Sequence, residues 1–187
     1  SQFLLLQGLT KLRQLANHPR MLGQDQPDSS GKMEDVIYKL KDVLQEDHKV
    51  LIFSQFTTHL KIFRDYFNSK GIRYNYLDGS TKDREYQVNT FQEDHRKIIF
   101  LISLKAGGVG LNLTAADYVF LLDPWRNPAV EAQAIDRAHR IGQKRNVFVY
   151  KFITRETVEE KILGLQAHKK TLAQNLITPE DSFVKNL

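Results

Sequence analysis

No cysteine occurs in this 187-residue chain, which excludes disulfides and thiolate metal sites as means of holding it together. The six histidines (18, 48, 59, 95, 139 and 168) show no i, i+3 or i, i+4 pairing, so no metal held by a local His motif is expected. No apolar run reaches the ~18–20 residues of a membrane span, and no signal-peptide pattern opens the chain. The expectation is a soluble intracellular protein without membrane attachment: cytoplasmic or nucleoid-associated in a bacterium, nuclear in a eukaryote. Also missing is any Gly-x-x-x-x-Gly-Lys-Ser/Thr phosphate loop. Gly31-Lys32 is the one Gly-Lys pair, and Met33 follows it where a hydroxyl is needed. No strand is followed by an acidic pair of the Walker B kind; Glu34-Asp35 falls inside a predicted helix.

What is present suits a packed domain. A hydrophobic content of 41% with 26% charged residues argues against disorder, and the length allows one substantial core with an appended helical piece. The net charge of +5 is concentrated: nine Lys/Arg face four acids between Arg96 and Lys151, and the remainder balances. An excess confined to one third of the chain is consistent with a phosphate-facing surface.

Leu5, Leu9, Leu12 and Leu15 predict one apolar face of a helix within 1–22, ending near Asn17-His18-Pro19, where proline disfavours the preceding helical residue. A polar loop, Gln24 to Gly31, precedes a second helix at 32–46. Then strands and helices alternate. Lys49 to Ser54, Ile72 to Leu77, Lys97 to Ile102, Tyr118 to Leu122 and Val147 to Ile153 read as strands, several nearly all apolar, as when both sheet faces are covered. Between them, Gly71 is a plausible helix C′ residue, Ser80 a helix N-cap, and Asn127-Pro128 an N-cap followed by proline at the first helical position. Thr154 is expected to cap a last amphipathic helix through Val158, Ile162, Leu165, Leu172 and Leu176. The pattern implies an α/β fold, a parallel sheet flanked by helices on both faces with helical extensions at each end.

In such sheets ligands collect beyond the carboxyl ends of the strands. Here those ends are followed by Ser54-Gln55, by Asp78-Gly79-Ser80-Thr81, by Ser103-Leu104-Lys105-Ala106-Gly107-Gly108-Val109-Gly110-Leu111-Asn112, and by Asp123-Pro124-Trp125-Arg126-Asn127. Hydroxyls, glycine amides and helix N-termini suit phosphate. Gln133, Arg137 and Arg140 follow at i, i+4, i+7, predicting one face of a short helix that ends at Gly142. Two guanidiniums and an amide point to an anionic ligand, since the Arg fork pairs with phosphate oxygens and keeps its charge. Alone, Asp78-Gly79 is a common turn and an arginine pair a common surface feature. It is their number on one edge that favours a site.

Taken in order, Leu12 to Pro19, Ser30 to Met33, Val50 to Phe56, Leu77 to Thr81, Ser103 to Asp117, Leu122 to Glu131 and Gln133 to Gln143 resemble the blocks of a known family. That family is the C-terminal RecA-like lobe of SWI/SNF-type DNA-dependent ATPases, in helicase superfamily 2, and the resemblance covers nearly all of the chain. It implies a RecA-like lobe in which Arg137 and Arg140 reach the γ-phosphate of ATP, with Gln133 linking nucleotide state to lobe position. Gly110 and Asn112 would lie at the interlobe nucleotide site. Ser54, Gln55, Gly79, Ser80, Ser103 and Lys105 would face the backbone of the tracked DNA strand, with Trp125 and Arg126 beside the duplex. At the position of Arg126 many relatives carry a second tryptophan. ATP and Mg²⁺ would be held mainly by an N-terminal RecA-like lobe of the same parent, so the isolated chain is expected to be a fragment that does not hydrolyse ATP alone. The expected division is a helical lead-in (1–31), the RecA-like lobe (32–153), and a C-terminal helix and tail (154–187). The alternatives are an RNA helicase lobe, a non-catalytic nucleic-acid-binding module and, on weaker spacing, a dinucleotide-binding enzyme.

Overall fold

The computed structural model describes residues 1–106 and 110–184, with side chains to residue 176. Helix α1 (Gln2–Asn17) is followed by a 3₁₀ turn (Pro19–Leu22) and α2 (Gly31–Gln45). The alternating part then runs β1 (Val50–Ser54), α3 (Thr57–Ser69), β2 (Asn75–Leu77), α4 (Arg84–Glu93), β3 (Ile99–Ser103), β4 (Tyr118–Leu121), α5 (Pro128–Asp136) and β5 (Phe148–Lys151), and α6 (Val158–Val184) closes it. All strand pairs are parallel, in the order β2-β3-β1-β4-β5.

The strand alternation sorts the core into two layers. Val50, Ile52, Ile99, Leu101, Phe120 and Leu122 face one side with α2 and α3. Leu51, Phe53, Phe100, Ile102, Val119 and Leu121 face the other with Phe91 of α4 and Ala134 of α5. Covering both faces is what makes these strands apolar throughout. Local signals hold at several ends. Gly71 takes φ 65°, and the N–H groups of Gly71 and Ile72 reach the carbonyls of Asn68 (3.3 Å) and Phe67 (2.9 Å), a Schellman closure. Asn127 caps α5 by accepting the Ala129 N–H at 3.1 Å.

Three expectations change. Ser80 is no helix cap: its N–H (2.8 Å) and hydroxyl (2.6 Å) are bound to Asp78 Oδ1, and α4 begins only after Asp83. Thr154 lies before the last helix, donating its N–H to Glu159 at 2.9 Å and its hydroxyl to the Ala16 carbonyl at 2.7 Å. Thr157 accepts the Glu159 N–H instead. The leucine face of α1 packs little: Leu5, Leu12 and Leu15 are exposed, and only Ala16 and Asn17 of this helix are buried. The final strand is an edge, with Phe148 and Val149 exposed.

A buried polar junction ties the extensions to the sheet. The Lys32 ammonium, on α2, donates to Asn17 Oδ1 (2.8 Å) on α1, to the Leu122 carbonyl (2.7 Å) after β4, and to both oxygens of Glu159 on α6 (2.5 and 2.7 Å). A second junction joins Glu131 of α5 to Lys151 of β5 (2.5 Å) and to Gln166 of α6 (2.7 Å). Helix α6 therefore packs on the sheet domain through Glu159, Ile162 and Gln166, all buried.

Candidate functional site

Because every strand is parallel, the carboxyl ends of β2, β3, β1 and β4 lie side by side in that order. This converts scattered loops into a row: Gly79-Ser80, then Lys105, then Gln55, then Trp125-Arg126. Three interstrand spacings make the row about 14 Å long, the rise of roughly four nucleotides along one strand. Gly79, Ser80, Lys105 and Arg126 are exposed, while Gln55 and Trp125 are half-buried.

Beneath the row lies a polar floor. Ser54 and Ser103, in register on β1 and β3, are both buried, so neither presents a surface hydroxyl. Ser54 donates to Asp123, whose other oxygen accepts the Gln55 N–H at 3.2 Å. Burial would raise the Asp123 carboxyl, but His59, Ser54 and Lys32 outweigh it and hold Asp123 below the usual carboxylate range. Burial pushes His59 down, against the pull of Asp123. Gln55 is held above this floor, accepting from Arg13 and donating to the Pro124 carbonyl at 3.2 Å. Trp125 is anchored by its backbone: its N–H reaches Glu131 at 2.9 Å and its carbonyl accepts from Gln166.

At the β2 end, Asp78 organises the turn that displays Gly79 and Ser80. Burial tends to raise its pKa, yet bonds from the Ser80 hydroxyl, Tyr76 hydroxyl, Ser80 amide and Thr81 hydroxyl bring it to about 2, from 3.8. The folded value is depressed, so the turn's stabilisation is complete above 3.8 and lost as pH falls through about 2. An NMR titration of the Ser80 amide is expected to report that low midpoint. One at the ordinary aspartate value would show that the turn is not built this way.

The arginine segment departs from the expected helix. Helix α5 ends at Asp136, with Arg137 as its C-cap, so Arg140 lies beyond the helix and the i, i+4, i+7 face does not form. The reason is competition for carbonyls: Leu113 N–H takes the Arg137 carbonyl at 2.9 Å, and Gln143 Nε2 takes that of Ala138 at 3.0 Å. Gln133 stays exposed on α5. Arg137 is 6% exposed, its guanidinium 5.4 Å from the Phe53 ring centroid; burial lowers its pKa, and Arg140 adds to this. Arg140 is exposed on a shallow cavity of about 560 Å³, shared with Asp136, His139, Ile141, Gln143 and Arg145. Gly110 (φ 110°) and Asn112 are exposed just before Leu113, so they neighbour this loop in the chain's path; residues 107–109, with the Gly107-Gly108 pair, lie outside the described residues.

The arrangement thus has an exposed guanidinium on a braced loop and a separate polar row. These donors suit phosphate; among the described residues no cluster of three or more His, Asp or Glu could hold a metal ion. Nor, among them, is any helix long and apolar enough to cross a membrane. Sequence reasoning missed Asn17, Lys32, His59, Glu131, Glu159 and Gln166, none of which carried a local signal. Asp123 stood out by its place at a strand's carboxyl end, but its role beneath the row did not.

The helicase conserved C-terminal domain matches residues 32–142. Over all of this chain, a Mycoplasma pneumoniae protein described as an uncharacterized ATP-dependent helicase is 39% identical, and the chain spans 18% of it. DNA repair protein RAD5B of Arabidopsis thaliana is 45% identical over 81% of the chain, which spans 12% of that protein. The SWI2/SNF2 ATPase core of Sulfolobus solfataricus, solved in complex with double-stranded DNA, superposes with a TM-score of 0.76 at 37% identity. That alignment covers 97% of this chain and 39% of the archaeal one. The fold is that of a helicase C-terminal, RecA-like lobe. Within that class, the chain belongs to the SWI2/SNF2-type ATPases of helicase superfamily 2.

Proposed function

We propose that this chain is the second motor lobe of an ATP-dependent double-stranded-DNA translocase or remodeller. The observation that carries the reading is the pairing of two surfaces: the row from Gly79 to Arg126 at the sheet's carboxyl edge, and the braced loop presenting Arg140. The row binds the sugar-phosphate backbone of one strand through Gly79, Ser80, Lys105 and Gln55, with Trp125 and Arg126 beside the duplex. Ser54 and Ser103, being buried, act under the row rather than on it. Backbone contacts of this kind carry no sequence information, as a motor moving along any DNA requires. The archaeal relative solved with double-stranded DNA supports duplex DNA over RNA.

Arg140 and Arg137 complete the nucleotide site of an N-terminal RecA-like lobe in the same parent, with Gln133, Gly110 and Asn112 at the interlobe face. Mg²⁺ and most ATP contacts belong to that lobe. Lobe closure brings the guanidiniums to the γ-phosphate, where they stabilise developing negative charge, and reopening after hydrolysis moves the lobe along the strand.

The test is to mix this chain with the N-terminal lobe and measure ATP turnover with and without duplex DNA. Turnover is expected only from the mixture, and is expected to rise with DNA. Folded, associating halves with no turnover would overturn the motor reading and leave a binding module.

A further inference from the structure

Beyond Asp136, no helix or strand holds the loop that carries Arg140. We propose that Gln143 is the positioning residue that fixes this loop for ATP hydrolysis, an inference that rests on the role given to Arg140 above. The Gln143 side chain sits among backbone groups from two segments. Its Nε2 donates to the carbonyls of Ala116 (2.8 Å), Ala138 (3.0 Å) and Thr114 (3.1 Å). Its Oε1 accepts the Arg145 N–H at 3.0 Å. Its own N–H closes a turn on the Arg140 carbonyl at 2.9 Å, with Gly142 at φ 101° completing the bend.

The chemistry of the contact is selective. Three carbonyls share two amide hydrogens, while the amide oxygen serves a backbone donor, so the site needs a group that donates and accepts. An ionised glutamate would set negative charge against the three carbonyls. Leucine can neither donate nor accept, and asparagine is one methylene short.

The staple joins the loop bearing Arg140 to the 113–117 turn, which follows exposed Gly110 and Asn112 directly. The Leu113 N–H to Arg137 carbonyl bond reinforces it. The two nucleotide-side segments therefore move as one body, and Arg140 needs only side-chain rotation to reach its target. Such pre-positioning matters because a misplacement of about 1 Å can cost about 10²-fold in rate.

The test uses the full-length parent with both lobes, following DNA-stimulated ATP hydrolysis in steady state and in single turnover, with melting temperatures alongside. Gln143→Leu is expected to lower kcat by about 10–10²-fold, with KM for ATP and affinity for duplex DNA unchanged. In an Arg140→Ala background the same change is expected to have no further effect, because Gln143 acts through that guanidinium. Gln143→Glu is expected to regain turnover relative to wild type as the pH is lowered, when a protonated carboxyl can again donate. If Gln143→Leu melts early, this pH response decides. An unchanged kcat in Gln143→Leu, full multiplication of the two losses, or a flat pH response would each overturn the proposal while leaving the role of Arg140 standing. Undiminished turnover in Arg140→Ala would remove both.

Discussion

Arg140→Ala is expected to lower DNA-stimulated ATP turnover of the two-lobe parent by about 10³-fold or more, the scale of an arginine that stabilises charge on a transferring phosphoryl group. The melting temperature is expected to stay unchanged, since Arg140 is exposed and takes no part in either core layer. Arg137 should behave differently. It is buried and lies over the Phe53 ring, so Arg137→Ala removes packing as well as charge, and activity and stability should fall together. Lysine at 140 keeps the charge but not the planar fork, and recovery is expected to be slight. Single-turnover rates with thermal melts separate the two arginines. A loss below tenfold for Arg140→Ala would end its assignment to the γ-phosphate.

Lys32→Ala is expected to cost about 3–5 kcal/mol, because removing one partner strands the other charge in the interior. Both side chains of the pair are essentially inaccessible, 2% and 1% exposed, so solvent cannot screen what is left. Glu159 would keep only the Thr154 N–H, and Asn17 Oδ1 and the Leu122 carbonyl would lose their shared donor. The loss should depend on pH. Burial already raises the Glu159 carboxyl from 4.5, a rise that Lys32 opposes, so without Lys32 it should rise further. In the variant, stability is therefore greatest below the unfolded carboxylate value and declines as the pH climbs above it. Replacing both partners by methionine should recover much of the loss, since a buried pair is often matched by apolar packing. Urea unfolding of the variants at acidic and neutral pH measures this. A Lys32→Ala penalty under about 1 kcal/mol, in the range of an exposed ion pair, would mean that the junction is not closed to water.

Much of this lobe can be read locally. Val50 to Phe53 and Ile99 to Ile102 announce strands because both faces of the sheet are covered. Gly71 and Asn127-Pro128 announce helix ends because their backbone chemistry is local. The phosphate-suited loops were visible for the same reason, but their arrangement was not: that Lys105 sits between Ser80 and Gln55 follows from the order β2-β3-β1-β4, which no loop encodes by itself. The arginine segment misled because helical spacing assumes that the helix continues, whereas its carbonyls are claimed by Leu113 and Gln143. Lys32 and Glu159, 127 residues apart, read as ordinary helix charges. Burial of charge is a property of the assembled core, and single-residue patterns do not carry it.

The Lys32 junction also decides how this lobe can be moved between proteins. Division at 31/32 and 153/154 follows the rhythm of strands and helices, yet it separates Lys32 from Asn17 and Glu159 together, and Glu131 from Gln166. A transplant cut there would keep the sheet and leave Lys32 without its counter-charge, while Glu131, still paired with Lys151, would lose only the Gln166 amide. The portable unit therefore reaches from at least Ala16, whose carbonyl receives the Thr154 hydroxyl, to Gln166. A graft respecting those limits carries the counter-charge of Lys32 with it, and a shorter one asks its new host to supply it.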